Sequence, residues 1–148
     1  MRALLALSLV LLSGCSDLFG PSEEDRAEEA WDRWVSTAPA AYRYELLQSC
    51  FCDRPGVGRW LTVIVNDNLV VSAWETDTGL QLPPAALARV PTVDDLFGIV
   101  FDAIDGGADG LETEYERQFG YPVLIDIDYV RNTNDDELVI RSRGLLPL

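Results

Sequence analysis

The chain opens on an apolar run, Ala3 to Leu12, behind a single positive charge at Arg2. The run is about half the length a helix needs to cross a bilayer, so it reads as the hydrophobic stretch of a signal peptide rather than as an anchor. A second pattern starts at Ser22, a capping hydroxyl followed by Glu23, Glu24 and Asp25, acids that a helix dipole favours in its first turn. Ala27, Ala30, Trp31, Trp34 and Val35 then recur at i, i+3, i+4, i+7 and i+8. This spacing predicts an amphipathic helix with one apolar face, ending before Pro39.

Beyond Pro39 the period falls to two. Tyr42, Tyr44 and Leu46 alternate with Arg43, Glu45 and Leu47, which predicts a half-buried strand running into Cys50. Trp60–Asn66 and Leu69–Glu75 are two further strand-like runs, joined by Asp67-Asn68, residues that tolerate the left-handed backbone of a tight hairpin. A loop with Pro83, Pro84 and Pro91 follows. Thr92 then caps a second helix with Asp94 and Asp95 in its first turn, a stripe Val93-Leu96-Phe97-Val100-Ile104, and a stop at Gly106-Gly107. Three strands close the chain, at about 110–118, 122–130 and 136–143. In the middle one Val123, Ile125, Ile127 and Tyr129 share a face, with Leu124, Asp126, Asp128 and Val130 opposite.

The order α-β-β-β-α-β-β-β, with short connections throughout, predicts an α+β fold: an antiparallel β-sheet with two helices packed on one face. Glu112, Glu114, Glu116, Asp126 and Asp128 then lie on the solvated side. The chain divides into a signal peptide at 1–14, a tether at 15–22 and a single globular domain at 23–148, a length sufficient for one core.

Charge narrows the chemistry. The formal charge is −14, and loss of a signal peptide would remove Arg2 but no acid. Nucleic acid and anionic lipid both select clustered positive charge, so neither is expected as a partner. Every basic residue is arginine; lysine and histidine are missing. Ser-His-Asp and Cys-His catalysis, Schiff-base lysine and histidine-ligated zinc are therefore excluded within the chain, and no catalytic set, metal site or cofactor is expected.

Leu12-Ser13-Gly14-Cys15 resembles the bacterial lipobox, a resemblance that implies cleavage before Cys15 and acylation of its thiol. It implies a lipid-anchored protein of the bacterial cell envelope, held to the membrane through Cys15. Ser16 and Asp17 favour the outer membrane if the cell is Gram-negative, by resemblance to lipoproteins of such cells.

Two cysteines remain, Cys50 and Cys52. An oxidising envelope permits a disulfide between them, the expected state. In a flat strand such a pair lies near the upper limit of disulfide spacing, so the backbone must turn, and Asp53-Arg54-Pro55-Gly56 supplies the turn. Unpaired thiols, or a redox or metal-handling pair, are the alternatives. Asp126, Asp128, Asn132, Asn134 and Glu137 have the spacing of a calcium loop, but Val130 and Arg131 stand at a ligand and at the turn glycine, so chance spacing is the reading. Asp126 and Asp128 are expected to be solvated or to pair with Arg141 and Arg143. Trp60 and Trp74 are expected to fill the core, with a stacking platform as the rival reading.

The ordered series Tyr42-x-Tyr44, Cys50-x-Cys52, Thr92-Val93-x-x-Leu96-Phe97, Gly120-Tyr121-Pro122, Ile127-Asp128 and Asp136-Glu137 resembles the bacterial family catalogued as domain of unknown function 6174, over about residues 30–143. The resemblance implies a small secreted or lipid-anchored protein, and it brings no catalytic residues. The expectation is thus a non-enzymatic envelope module that binds a protein or peptide on its exposed sheet face. The alternative is thiol redox or metal handling through Cys50 and Cys52.

Overall fold

Ser22 starts the first helix by a reciprocal cap: its hydroxyl accepts from the Asp25 amide at 3.1 Å, and the Asp25 carboxylate accepts from the Ser22 amide at 2.9 Å. The helix, α1, runs Glu23–Thr37 in the computed structural model, which describes residues 20–130 and 137–148. Ala27, Ala30 and Trp34 are buried, and Trp31 is half-buried. Val35 departs from the expected stripe and is 61% exposed. Each step of four residues rotates a position about 40° round the helix, so two steps from Ala27 have carried Val35 off the packed face.

Three strands follow: β1 (Ala41–Cys50), β2 (Leu61–Asn66) and β3 (Leu69–Glu75). Asp67 and Asn68 have φ of 47° and 58°, the paired left-handed conformations of a type I′ hairpin. A one-turn helix, α2 (Pro84–Leu87), sits in the proline loop, where a longer apolar period had been needed to announce it. Next, α3 (Val93–Gly106) is capped by Thr92 and Asp95 and ends at Gly107, in the left-handed conformation. Strands β4 (Gly110–Tyr115), β5 (Pro122–Asp128) and β6 (Glu137–Pro147) complete the fold.

The strands form one sheet in the order β3-β2-β1-β6-β5-β4, with every neighbouring pair antiparallel. The first and last strands meet at its centre. Inward side chains alternate as the sequence pattern requires: Tyr42, Tyr44 and Leu46, then Leu61, Val63 and Val65, then Ile125 and Ile127, with Leu138 and Ile140 from β6. Both long helices cover this face. Phe97 is buried, edge-on to Trp31 at 5.1 Å and stacked near Tyr115 at 6.0 Å, so the α3 stripe is core.

Polar atoms lock α3 onto the sheet. The Tyr42 hydroxyl accepts from the amide of Val93 at 3.0 Å, a helix-start donor with no partner inside the helix. Tyr44 donates to the Pro91 carbonyl, and the Trp34 indole donates to Asp94 at 2.7 Å.

The strand ends differ from expectation. β4 stops at Tyr115, because Glu116 turns the chain: its amide donates to the Tyr121 carbonyl, and its carboxylate accepts from the amides of Gln118 and Phe119. β5 stops at Asp128, leaving Tyr129 42% exposed rather than on the apolar face. β6 runs past Arg143 to Pro147. Gly144, at φ 66°, forms a bulge where Tyr44 faces two residues, and the strand continues beyond it.

Candidate functional site

With all helices on one side, the other face of the sheet is left uncovered among the described residues. Alternation assigns its occupants. β1 presents Arg43, Glu45 and Leu47; β2 presents Ile64 in line with Trp60, with Thr62 between them buried and hydrogen-bonded to Thr76; β6 presents Val139, Arg141 and Arg143; β5 presents Leu124 and Asp126. Trp60 and Trp74 lie on this face, half-buried, and not in the core as expected. Leu61, Val63 and Ala73 point inward, so their neighbours Trp60 and Trp74 point outward.

The centre of the face is organised. Arg143 donates from Nε to Glu45 at 2.7 Å, and its guanidinium lies 3.9 Å from the centroid of the Trp60 ring. The carboxylate holds the guanidinium over the indole, a cation–π arrangement that restrains both side chains on an open surface. Arg43 and Arg141 are exposed nearby, so positive charge gathers here in a chain whose formal charge is −14. The acids lie toward one edge: Glu112 faces Asp126, and Asp128 faces Glu137. Of the two expectations for Asp126 and Asp128, solvation or pairing with Arg141 and Arg143, the register disfavours the pairing. Asp126 stands opposite Val139, Leu124 stands opposite Arg141, and Arg143 is committed to Glu45.

At the end of β1, Cys50 and Cys52 come together as a disulfide with their Cα atoms 5.2 Å apart. The following loop is tied down by Arg54, which donates to the Gln48 side chain at 3.2 Å, and by Arg89, which reaches Asp53. These arginines also line a cleft of about 310 Å³ together with Leu80, Leu82 and Pro83. In the same cleft Glu75 accepts from Thr78 and from Arg59, hydrogen bonds that hold its carboxyl below the usual glutamate range. Burial pushes the Tyr42 and Tyr44 phenols well above theirs, as befits groups used as neutral hydrogen-bonding struts.

Among the described residues, no three histidine, cysteine or acidic side chains gather where a metal ion could be held, and no helix is long and apolar enough to cross a membrane. Cys15, Asn132 and Asn134 lie outside the described residues, as does Asp136 of the motif series. The Arg143–Trp60–Glu45 cluster had no counterpart in the sequence reading. Parity along β1 and β2 could have placed Glu45 and Trp60 on one face, but the pairing of β1 with β6 spans nearly the whole domain.

A family model described as a family of unknown function, DUF6174, matches residues 26–146. The chain belongs to the DUF6174 family. The match takes in most of α1, all of β1 to β5 and α3, the cysteine pair, and β6 as far as Leu146, so the DUF6174 unit is the sheet with its helical cover. No curated protein and no solved structure is similar to the chain beyond chance.

Proposed function

We propose that this DUF6174 chain is a lipid-anchored protein of the bacterial envelope that acts by binding, through the open sheet face, a protein or peptide segment in which carboxylates interleave with apolar side chains. The observation that carries the reading is the fixed Arg143–Trp60–Glu45 cluster on a face that no described element covers. Indole and guanidinium groups held in place in advance are the residue types on which binding energy concentrates, because little side-chain entropy remains to be lost. Arg43 and Arg141 add charge complementary to an acidic segment, and Leu47, Leu124 and Leu146 add apolar contact. The lipobox-like Leu12-Ser13-Gly14-Cys15 supports attachment to the membrane through Cys15.

Site-specific photo-crosslinking in native envelopes tests this. A crosslinking residue at Leu146, on the open face, captures one defined partner, while the same residue at Glu28, on the exposed side of α1, does not. Intact mass of the captured chain begins at an acylated Cys15. Equal capture from both positions, or from Glu28 alone, contradicts the binding face; an uncleaved Met1 contradicts the anchor.

A further inference from the structure

Cys50 is the last residue of β1, opposite Leu138 of β6. A strand holds i and i+2 about 6.6 Å apart. Here the chain has turned enough to bring the Cα atoms within 5.2 Å and join the sulfurs. β1 is secured by β2 from Ala41 to Leu46 and by β6 as far as Cys50 itself, so the small ring is not needed to hold the strand in the sheet. A loop with a sequence separation of 2 also withdraws little entropy from the unfolded chain. These two facts bear on redox behaviour through one thermodynamic cycle: a disulfide that adds little to folding receives little protection from folding against reduction.

The surroundings of the ring point outward. Phe51, the residue between the two cysteines in sequence, is 82% exposed, so an apolar ring projects into water beside the disulfide. Cys52 is exposed as well, whereas Cys50 packs half-buried against the core. A cleft of about 140 Å³ opens beside them, with Phe51, Cys52, Tyr129 and Leu138 in its walls.

We infer that Cys50–Cys52 is a reactive disulfide that exchanges with the dithiols of reduced, incompletely folded polypeptides, Phe51 supplying the apolar contact that seats them. A partner thiolate attacks the accessible Cys52 sulfur, forming the mixed disulfide and breaking the Cys50–Cys52 bond, and Cys50 leaves as a thiolate that takes up a proton. The partner's second thiolate then attacks its own sulfur in the mixed disulfide and releases Cys52, which is protonated in turn. The partner loses two electrons and the cysteine pair gains them, with the partner's two protons ending on Cys50 and Cys52. This activity stands apart from the binding face and does not depend on it.

The full-length chain, equilibrated in glutathione buffers, acid-quenched, alkylated and weighed, provides the test, with circular dichroism recorded on the same samples. The pair titrates between oxidised and reduced forms within the glutathione range while the spectrum and melting temperature stay those of the native protein. A bond that survives millimolar reduced glutathione, or one that is lost only as the protein unfolds, overturns the inference. Phe51→Ala leaves reaction with dithiothreitol unchanged but slows reaction with a leucine-flanked dithiol peptide about tenfold, the scale of one lost apolar anchor. Equal rates for both probes in that variant overturn the assignment of Phe51.

Discussion

Gly120 carries a φ of 85° where the turn between β4 and β5 presses on α1, and a Cβ there would stand 2.5 Å from the Ala30 carbonyl oxygen. Gly120→Ala therefore combines a left-handed backbone, which costs about 1–3 kcal/mol by itself, with a clash against main chain that cannot move aside. The expected result is a melting temperature lowered by many degrees; Gly98→Ala, in open space on α3, serves as the control and stays near wild type. Glu75 makes a prediction about pH. Thr78 and Arg59 hold its folded carboxyl below the ordinary value, so its contribution is complete above the unfolded pKa of about 4.3 and is lost as the pH falls through the folded one. Stability of the wild type should consequently fall more steeply between pH 5 and pH 3 than that of Glu75→Gln. Parallel curves would remove Glu75 from the account. At this scale the sequence was readable where parity decides: Leu61, Val63 and Val65 inward require Trp60 and Ile64 outward. The expectation that tryptophans fill cores overrode that rule and placed Trp60 and Trp74 wrongly.

Among the elements, α3 shows what a local pattern can settle. Thr92 with Asp95 at one end and Gly107 at the other fix its limits by hydrogen bonding within a few residues, and the stripe through Phe97 fixes its buried face. Phe97→Ala removes a ring packed against Trp31, Phe101 and Tyr115 and should cost about 3–5 kcal/mol. A denaturant midpoint unchanged in that variant would mean that the stripe is not core. The strand β6 shows the opposite case. The strand expected from sequence ends at about 143, yet in the sheet Gly144 is a bulge that lets it bend and go on pairing with β1. That pairing is set by tertiary contact between the two ends of the domain, which no window of neighbouring residues contains. β4 was overestimated for a related reason: Glu116 fits the alternation of a strand, but its carboxylate serves the turn amides instead.

The molecule as a whole is two antiparallel meanders whose inner strands meet at the centre, with the helices all on one side. Fold class and element order followed from the change of period along the chain, because each half carries its own helix and its own alternating strands. The composition of the open face was only half legible. Its residues could be sorted by parity, but their juxtaposition depends on β1 lying beside β6, which brings Arg143 over Trp60 and against Glu45. What separates a binding surface from an ordinary solvated one on that face is the charge it offers a partner. Arg43 and Arg141 are exposed there, so reversing their charge leaves the fold untouched while opposing an acidic segment. The most direct measurement is capture by the crosslinker at Leu146 in an Arg43→Glu, Arg141→Glu variant, with melting recorded on the same protein. A binding face keeps the melting temperature unchanged in that variant and loses the captured partner; undiminished capture by a variant that melts like wild type makes the face ordinary solvated surface.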